Sequence, residues 1–291
     1  MDQHDWLIER FEANRPHLRA VAYRMLGSFS DADDAVQEAW LRLSRADTSG
    51  VENLSGWLTT VVARVCLNML RSRQSRREDS LDARIPDPIV SRENGVDPQH
   101  DAVLADSVGL ALLVVLETLT PAERLTFVLH DMFAVPFDEI APMLARSPTA
   151  TRQLASRARR RVRGAAPAPD PDVARQREVV DAFFAAARGG DFEALVAVLD
   201  PDVVARTDGG PGASVIVRGA HVVAGRALMF AQPSATLRPA LVNGAAGVVI
   251  MAGRRPASVM AFTVRDGKIV EIDALTDPER LGKLDLAVLD D

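Results

Sequence analysis

Seven arginines (Arg146, Arg152, Arg157, Arg159, Arg160, Arg161 and Arg163) fall within residues 141–165, where no acid occurs. A guanidinium can fork onto the two major-groove acceptors of guanine or onto a phosphate. Gln pairs with adenine in the same groove, and Ser or Thr hydroxyls reach phosphates or base edges. The chain has a formal net charge of −6 and only two lysines, so the clustering rather than the choice of Arg is informative. The basic end of a solvated helix would give the same run, because a C-terminal dipole also attracts Arg. What favours DNA is the chemistry just upstream. Residues 137–144 can make a short helix with Ile140 and Leu144 inward, and Ala145-Arg146-Ser147 a turn. Ser147 is a good N-cap and Pro148 a good first residue for a second helix. On that helix Thr151, Leu154, Ala155 and Ala158 form the packing side. Thr149, Arg152, Gln153, Ser156, Arg157 and Arg160 point outward, which suits a recognition helix in a major groove. Two features strain the motif. Ala145 stands where a left-handed turn favours Gly, and Pro142 removes one backbone donor from the first helix.

A second polar set lies on residues 55–76, where Thr60, Arg64, Asn68 and Arg71 recur at spacings of 4, 4 and 3. Opposite them, Trp57, Leu58, Val61, Val62, Val65 and Met69 form the expected buried stripe. A third set, Asp34, Gln37 and Glu38, decorates a helix whose Val36, Ala39, Trp40 and Leu43 face inward. Ser30 and Asp33 fit a capping box at its start.

These sets need scaffolds, and the bulk numbers bound them. At 291 residues with 47% hydrophobic content the chain should form two or three units, each able to bury a core. Cys66 stands alone, which excludes an intramolecular disulfide or a Cys-based zinc cluster, and the five histidines form no i, i+4 pair. No apolar run approaches a bilayer span, and the N-terminus lacks a basic-then-apolar leader. A cytoplasmic protein without metal or cofactor, and with no membrane partner, is expected.

Two Pro- and acid-rich stretches read as linkers and divide the chain into 1–76, an acidic linker 77–101, 102–163, a stiff linker 164–172, and 173–291. The first two units read as all-α, with early helices of the second at 110–119 and 121–132. The third begins with helices near 173–188 and 191–199. Strands follow at 203–207, 214–218, 236–242, 247–252, 258–265 and 268–275, the last two flanking an Asp266-Gly267 hairpin turn. Helices first and strands later within one unit indicate an α+β domain.

The ordered motifs resemble extracytoplasmic-function sigma factors of the sigma-70 family. DADDAVQEAWLRL (31–43) resembles the polymerase-binding helix of that family's region 2, which places a core RNA polymerase contact on Asp34, Gln37 and Glu38. GWLTTVVARVCLNMLRSRQSRRE (56–78) resembles the helix that holds melted promoter DNA. This implies contacts from Arg64, Asn68 and Arg71, charge from Arg71, Arg73, Arg76 and Arg77, and a base pocket that draws on the loop at 46–53. The helix-turn-helix resembles the region 4 reader of the upstream promoter element. In the family the segment between the two regions runs along the polymerase RNA exit path, which the acidic stretch suits. Residues 173–291 resemble the SnoaL-like, nuclear-transport-factor-like α+β cone that follows region 4 in some of these factors, on the strength of DPDVVARTDGG, VRGAHVV and the final hairpin with TDPERL.

The resemblance implies a non-catalytic subunit, monomeric when free. It would direct core polymerase to double-stranded and melted promoter DNA, with the cone regulating its activity and a small molecule as a candidate ligand of the cone. The cone's candidate pocket or interdomain residues are Asp208, His221 and Asp277, and segment 276–284 is the expected contact with the DNA-binding part. Asp208 could instead cap the Gly209-Gly210 turn, and His221 could start a surface helix. Two other readings use the same residues. One is a helix-turn-helix repressor or activator whose third unit senses a small molecule, for which the 31–43 helix would have no use. The other is a SnoaL-like enzyme carrying a DNA-binding passenger, which would need a titratable pair converging in the cone.

Overall fold

The computed structural model describes residues 3–45, 53–76, 84–92, 109–165, 169–231, 234–286 and 289. It separates into two compact units. One contains Met1–Ser80, Pro98–Asp106 and Val115–Ala165, and the other Leu81–Asp97, Ser107–Val114 and Ala166–Asp291.

The first unit is all-α. Helices α1 (Gln3–Leu26), α2 (Phe29–Leu43) and α3 (Leu54–Arg76) pack on one another. Ala32, Ala35, Val36, Ala39 and Leu43 give α2 a buried stripe at helical period. The helix starts earlier than the Ser30–Asp33 pattern suggests. Ser28 is its N-cap, without a side-chain cap bond, and the Ser30 hydroxyl lies 3.1 Å from that of Ser28. The buried face of α3 is also turned from the expected one. Leu58, Val62, Ala63, Cys66, Leu67 and Leu70 are buried, while Trp57, Val61 and Met69 are only half-buried. A helix held between neighbours on two sides buries a wider arc than one stripe, so the six-residue pattern is too narrow.

Helix α4 (Leu110–Glu117) is divided between the two units at Val114 and Val115. Later elements of the first unit are α5 (Pro121–Phe127, continued by a π-helical turn Val128–Met132), α6 (Phe137–Ile140, tightening to a 3-10 turn Ala141–Leu144) and α7 (Pro148–Ala165). Thr120 and Glu123 form a reciprocal capping box at the start of α5. Arg124, only 2% exposed, donates to the Arg24 carbonyl oxygen from Nε at 3.2 Å and Nη2 at 3.1 Å, and pairs with Glu117 at 2.8 Å. This buried cation ties α5 to α1. Its burial is tolerable because carbonyl and carboxylate together replace its water.

The second unit is an α+β cone built on a seven-stranded sheet ordered β1-β4-β5-β6-β7-β2-β3. The strands are β1 (Val90–Ser91), β2 (Leu199–Asp208), β3 (Val215–Arg218), β4 (Thr236–Val242), β5 (Ala245–Ala252), β6 (Arg255–Arg265) and β7 (Lys268–Leu275). Among the described strands, only β2 and β7 pair in parallel. Helices α8 (Val173–Gly189), α9 (Phe192–Val198), α10 (Ala220–Phe230) and the short α11 (Pro278–Leu281) complete it. Asp172, Asp191 and Asp277 cap α8, α9 and α11 through their side chains. Asp266-Gly267 closes the last hairpin with φ of 53° and 72°, and Asn243-Gly244 closes β4–β5 in the same way at 51° and 78°. The second turn carries as strong a dipeptide signal as the first. The core joins Val180, Phe183, Leu195, Val203, Phe262 and Ile272.

One strand comes from outside the stretch read as this domain. β1 belongs to the acidic segment read as a linker, and pairs Val90 with Val242 and Ser91 with Leu241. Among the described residues no helix is long and apolar enough to cross a membrane, and no cluster of metal-ligating side chains occurs.

Candidate nucleic-acid interface

The helix-turn-helix is built by α6 and α7. Ala145 takes the left-handed conformation, φ 52° and ψ 44°, and closes the 3-10 turn Ala141–Leu144, which contains Pro142. The Ser147 hydroxyl accepts from the Ala150 N–H at 3.2 Å and starts α7. Thr151, Leu154, Ala155 and Ala158 are buried. Thr149, Arg152, Gln153, Ser156, Arg157 and Arg160 are exposed along the opposite face.

The seven arginines divide into two groups. Arg159 pairs with Asp131 at 2.6 Å and Arg161 with Glu123 at 2.7 Å, so both serve the packing of α7 on α5. Arg146, Arg152, Arg157, Arg160 and Arg163 are exposed with no carboxylate partner among the described residues. The Arg152 guanidinium carbon lies 5.6 Å from the centroid of the Phe137 ring, a cation–π contact between α7 and α6.

On α3, Arg64, Asn68 and Arg71 are exposed and Thr60 is half-buried, its hydroxyl donating to the Gly56 carbonyl oxygen at 3.0 Å. Arg73 does not belong with them. It donates to the Leu26 carbonyl oxygen at 3.1 Å and pairs with Asp31, so it holds α3 against α1 and α2. Spacing could not reveal this, since its acceptors lie more than 40 residues away. Arg77, the side chain of Arg76 and the loop at 46–52 lie outside the described residues.

On α2, Asp34 and Gln37 are exposed, while Glu38 is half-buried and pairs with Arg42 at 2.9 Å. Leu41, 39% exposed, extends this face with an apolar group that the sequence reading did not single out.

In the second unit, Asp208 and Asp277 adjoin, the Asp277 N–H donating to the Asp208 carbonyl oxygen at 3.2 Å, whereas His221 lies on α10. Asp208 is 4% exposed, yet its carboxylate has four donors. Oδ1 accepts from Gly210 N at 3.1 Å and from the Ser214 hydroxyl at 3.3 Å. Oδ2 accepts from Ile85 N at 2.9 Å and Arg280 Nη1 at 2.7 Å. It therefore caps the glycine turn and also grips the 84–92 segment. Arg280, a residue without a role in the sequence reading, completes the grip by donating to Ile85 O at 2.6 Å and Asp87 Oδ1 at 2.5 Å. Asp277 caps α11 and so aims Arg280. His221 is exposed, its ring 5.9 Å from that of Phe192.

Between α8, α10 and the inward face of the sheet lies a cavity of about 410 Å³. Phe183, Phe184, Leu237, Ile250, Met260 and Ile272 form much of its wall. Neither Asp208 nor His221 lines it. Arg206, which also lines the cavity, bridges Glu271 at 3.0 Å and Asp273 at 3.1 Å. Burial, reinforced by the neighbouring Glu271, pushes Asp273 up to about 6, and Arg206 opposes the shift.

Comparison with known proteins assigns the chain. The family models of sigma-70 region 2 and sigma-70 region 4 match residues 10–76 and 109–162. The ECF RNA polymerase sigma factor SigJ of Mycobacterium tuberculosis is 42% identical over 291 residues, covering 94% of this chain and 92% of that protein. The chain belongs to the ECF sigma factors of the sigma-70 family. As an ECF sigma factor it is also 37% identical to the probable factor SigI of M. tuberculosis, over 98% of both chains. The crystal structure of M. tuberculosis SigJ matches its fold with a TM-score of 0.76 at 38% identity, covering 96% of this chain and 99% of that one. Region 2 of this sigma factor therefore contains α1–α3, region 4 contains α4–α7, and an α+β cone follows.

Proposed function

We propose that this sigma factor binds core RNA polymerase through the exposed face of α2, at Asp34, Gln37 and Glu38. Arg64, Asn68 and Arg71 on α3 hold melted promoter DNA, and α7 reads the upstream element in the major groove. The observation that supports the DNA reading is the exposed row of Thr149, Arg152, Gln153, Ser156, Arg157 and Arg160 on a helix buried along its other side. Forked contacts from Arg152 and Gln153 supply base discrimination, and Arg157 and Arg160 supply affinity from phosphate. The free protein is a monomer in this reading, and transcription initiation needs no chemistry from it.

The cone regulates. Ile85 and Asp87, which lie in sequence between regions 2 and 4, are held by Asp208 and Arg280, and Val90–Ser91 form a strand of the same sheet. With residue 85 anchored, the chain back to residue 76 can reach at most ~30 Å even when fully extended. Docking of this segment thus limits how regions 2 and 4 can spread on polymerase and promoter. The docked and released states differ in that limit, and the cone shifts the balance between them. A catalytic role for the cone is not favoured, because both Asp208 oxygens are already engaged by structural donors.

Transcription in vitro with purified core polymerase on a promoter library tests both parts. Specific initiation by the full chain is expected, and failure to form a stable complex with core would remove the polymerase-binding assignment. An Arg280→Ala chain should bind core as the parent does but give an altered level of specific transcript. Identical transcript levels, together with proven release of residues 84–92 by hydrogen exchange, would remove the regulatory role.

A further inference from the structure

The cavity of the cone has a lining of uneven chemistry. Most of its wall is aromatic or aliphatic, and its volume of about 410 Å³ lies in the range of small-molecule sites, roughly 300–1,000 Å³. Its charged residues are Arg188, Arg206 and Arg226, and no Asp, Glu or His occurs among the lining residues. On a chain of net charge −6 that is a local reversal of sign. Arg206 spends its guanidinium on Glu271 and Asp273 across the sheet, but Arg188 and Arg226 have no carboxylate among the described residues. Arg188 is steadied by a bond from Nη2 to the Ala235 carbonyl oxygen at 3.0 Å, and Arg226 by stacking over Phe230 at 5.2 Å. Phe230 is 63% exposed and Val215 37% exposed, although both line the cavity. Large apolar groups left open to water at a cavity edge mark a surface that a ligand covers.

An independent observation lies deeper. Ser258 is 7% exposed, and its hydroxyl has no hydrogen-bond partner among the described residues. It pairs in register with Ile250, and both residues line the cavity. An unmade bond at a buried hydroxyl lowers stability, and a ligand that offers a polar atom there removes that cost.

We propose that the cone binds an amphipathic organic carboxylate. Its apolar body fills the space between Phe183, Phe184 and Ile250, a hydroxyl or carbonyl group of the ligand bonds Ser258, and its carboxylate meets Arg188 and Arg226 at the edge. The absence of a titratable acid or base among the lining residues makes this a binding site rather than a site of proton transfer. The cavity is the basis for the binding itself, and its consequence for transcription rests on the regulatory reading given above.

Fluorescence titration of the full chain with 1-anilinonaphthalene-8-sulfonate, an amphipathic aromatic anion, supplies the probe. Dodecanoate, 12-hydroxydodecanoate, 2-naphthoate, dodecanol and dodecyltrimethylammonium are then used as competitors. A single saturable site is expected, with dodecanoate or naphthoate displacing the probe at least tenfold better than the cationic surfactant. Which carboxylate is the stronger distinguishes an aliphatic from an aromatic natural ligand. Arg226→Gln and Arg188→Gln should each weaken carboxylate binding about fivefold and leave dodecanol unchanged. Ser258→Ala should raise thermal stability in the free protein and erase the advantage of the hydroxylated acid. Ala227→Trp, which fills the cavity from α10, should abolish binding, and Ile250→Phe provides a second block if that chain does not fold.

Equal displacement by the cationic and anionic amphiphiles, or undiminished binding in both folded blocked variants, would overturn the site. Tight carboxylate binding with no effect on transcription by the parent chain keeps the site and overturns the regulatory reading instead.

Discussion

In and just before α7, Arg146, Arg152, Arg157, Arg160 and Arg163 are exposed and face no carboxylate among the described residues. In the cone, Arg206 and Arg280 have side chains only 15% and 16% exposed, and each holds two acids. One residue type thus serves two opposite purposes. A guanidinium left in water keeps its charge available for phosphate and its fork for a base edge. A guanidinium between buried carboxylates has no such freedom; removing it strands the acids, so it fixes the chain segments that carry them.

The comparison breaks most readily at Arg280. Arg280→Leu leaves Asp208 and Asp87 buried without their cation and should destabilise the cone by about 3–5 kcal/mol, read by urea unfolding. Arg157→Ala should change stability by less than about 0.5 kcal/mol in the same assay, as an exposed substitution does. Equal effects at the two sites would end the distinction.

A pH series probes the other buried arginine. Asp273 is pushed up to about 6 by its burial, reinforced by Glu271, with Arg206 opposing. Its folded form therefore holds a proton that the unfolded chain has already released above the ordinary carboxylate range. This contribution to stability is fully present below about pH 4 and is lost as pH rises through about 6, on the order of 2–3 kcal/mol in all. Unfolding free energies measured from pH 4 to 7.5 should fall less steeply in Asp273→Asn than in the parent. Matching slopes would mean that Arg206 keeps Asp273 ionised throughout.

On the exposed side, Arg152→Ala should cost about 1–3 kcal/mol of discrimination between the true upstream element and a scrambled one, measured with holoenzyme. Arg157→Ala should weaken both sequences alike and reduce the salt dependence of binding by about one phosphate contact. An equal loss on both sequences from Arg152→Ala would make it another phosphate contact. The smallest effect belongs to the turn. Ala145→Gly relieves a left-handed alanine and should stabilise the first unit by up to about 1 kcal/mol in thermal unfolding.

Much of this arrangement can be read from local pattern. The Ser147-Pro148 start of α7, its buried Leu154, Ala155 and Ala158, and the left-handed Ala145 follow from rules that span a few residues. So do most strands of the cone and the Asp266-Gly267 turn. The Asn243-Gly244 turn obeys the same rule, and β5 starts at Ala245, two residues before the expected Gly247.

What the sequence by itself determined is therefore which surfaces carry which chemistry. Helical and strand periods separate wet from dry faces within a few turns, and cap and turn residues mark where each element begins. The tertiary structure alone decided which charges remain available. Arg73 and Asp31, Arg124 and the Arg24 carbonyl, and Arg280 with Asp87 and Asp208 meet across separations of 42 to 193 residues. No local period encodes such pairings, because burial of one partner is set by elements far along the chain. The same holds for Val90–Ser91, whose two residues carry too little pattern to announce a strand until β4 offers an open edge.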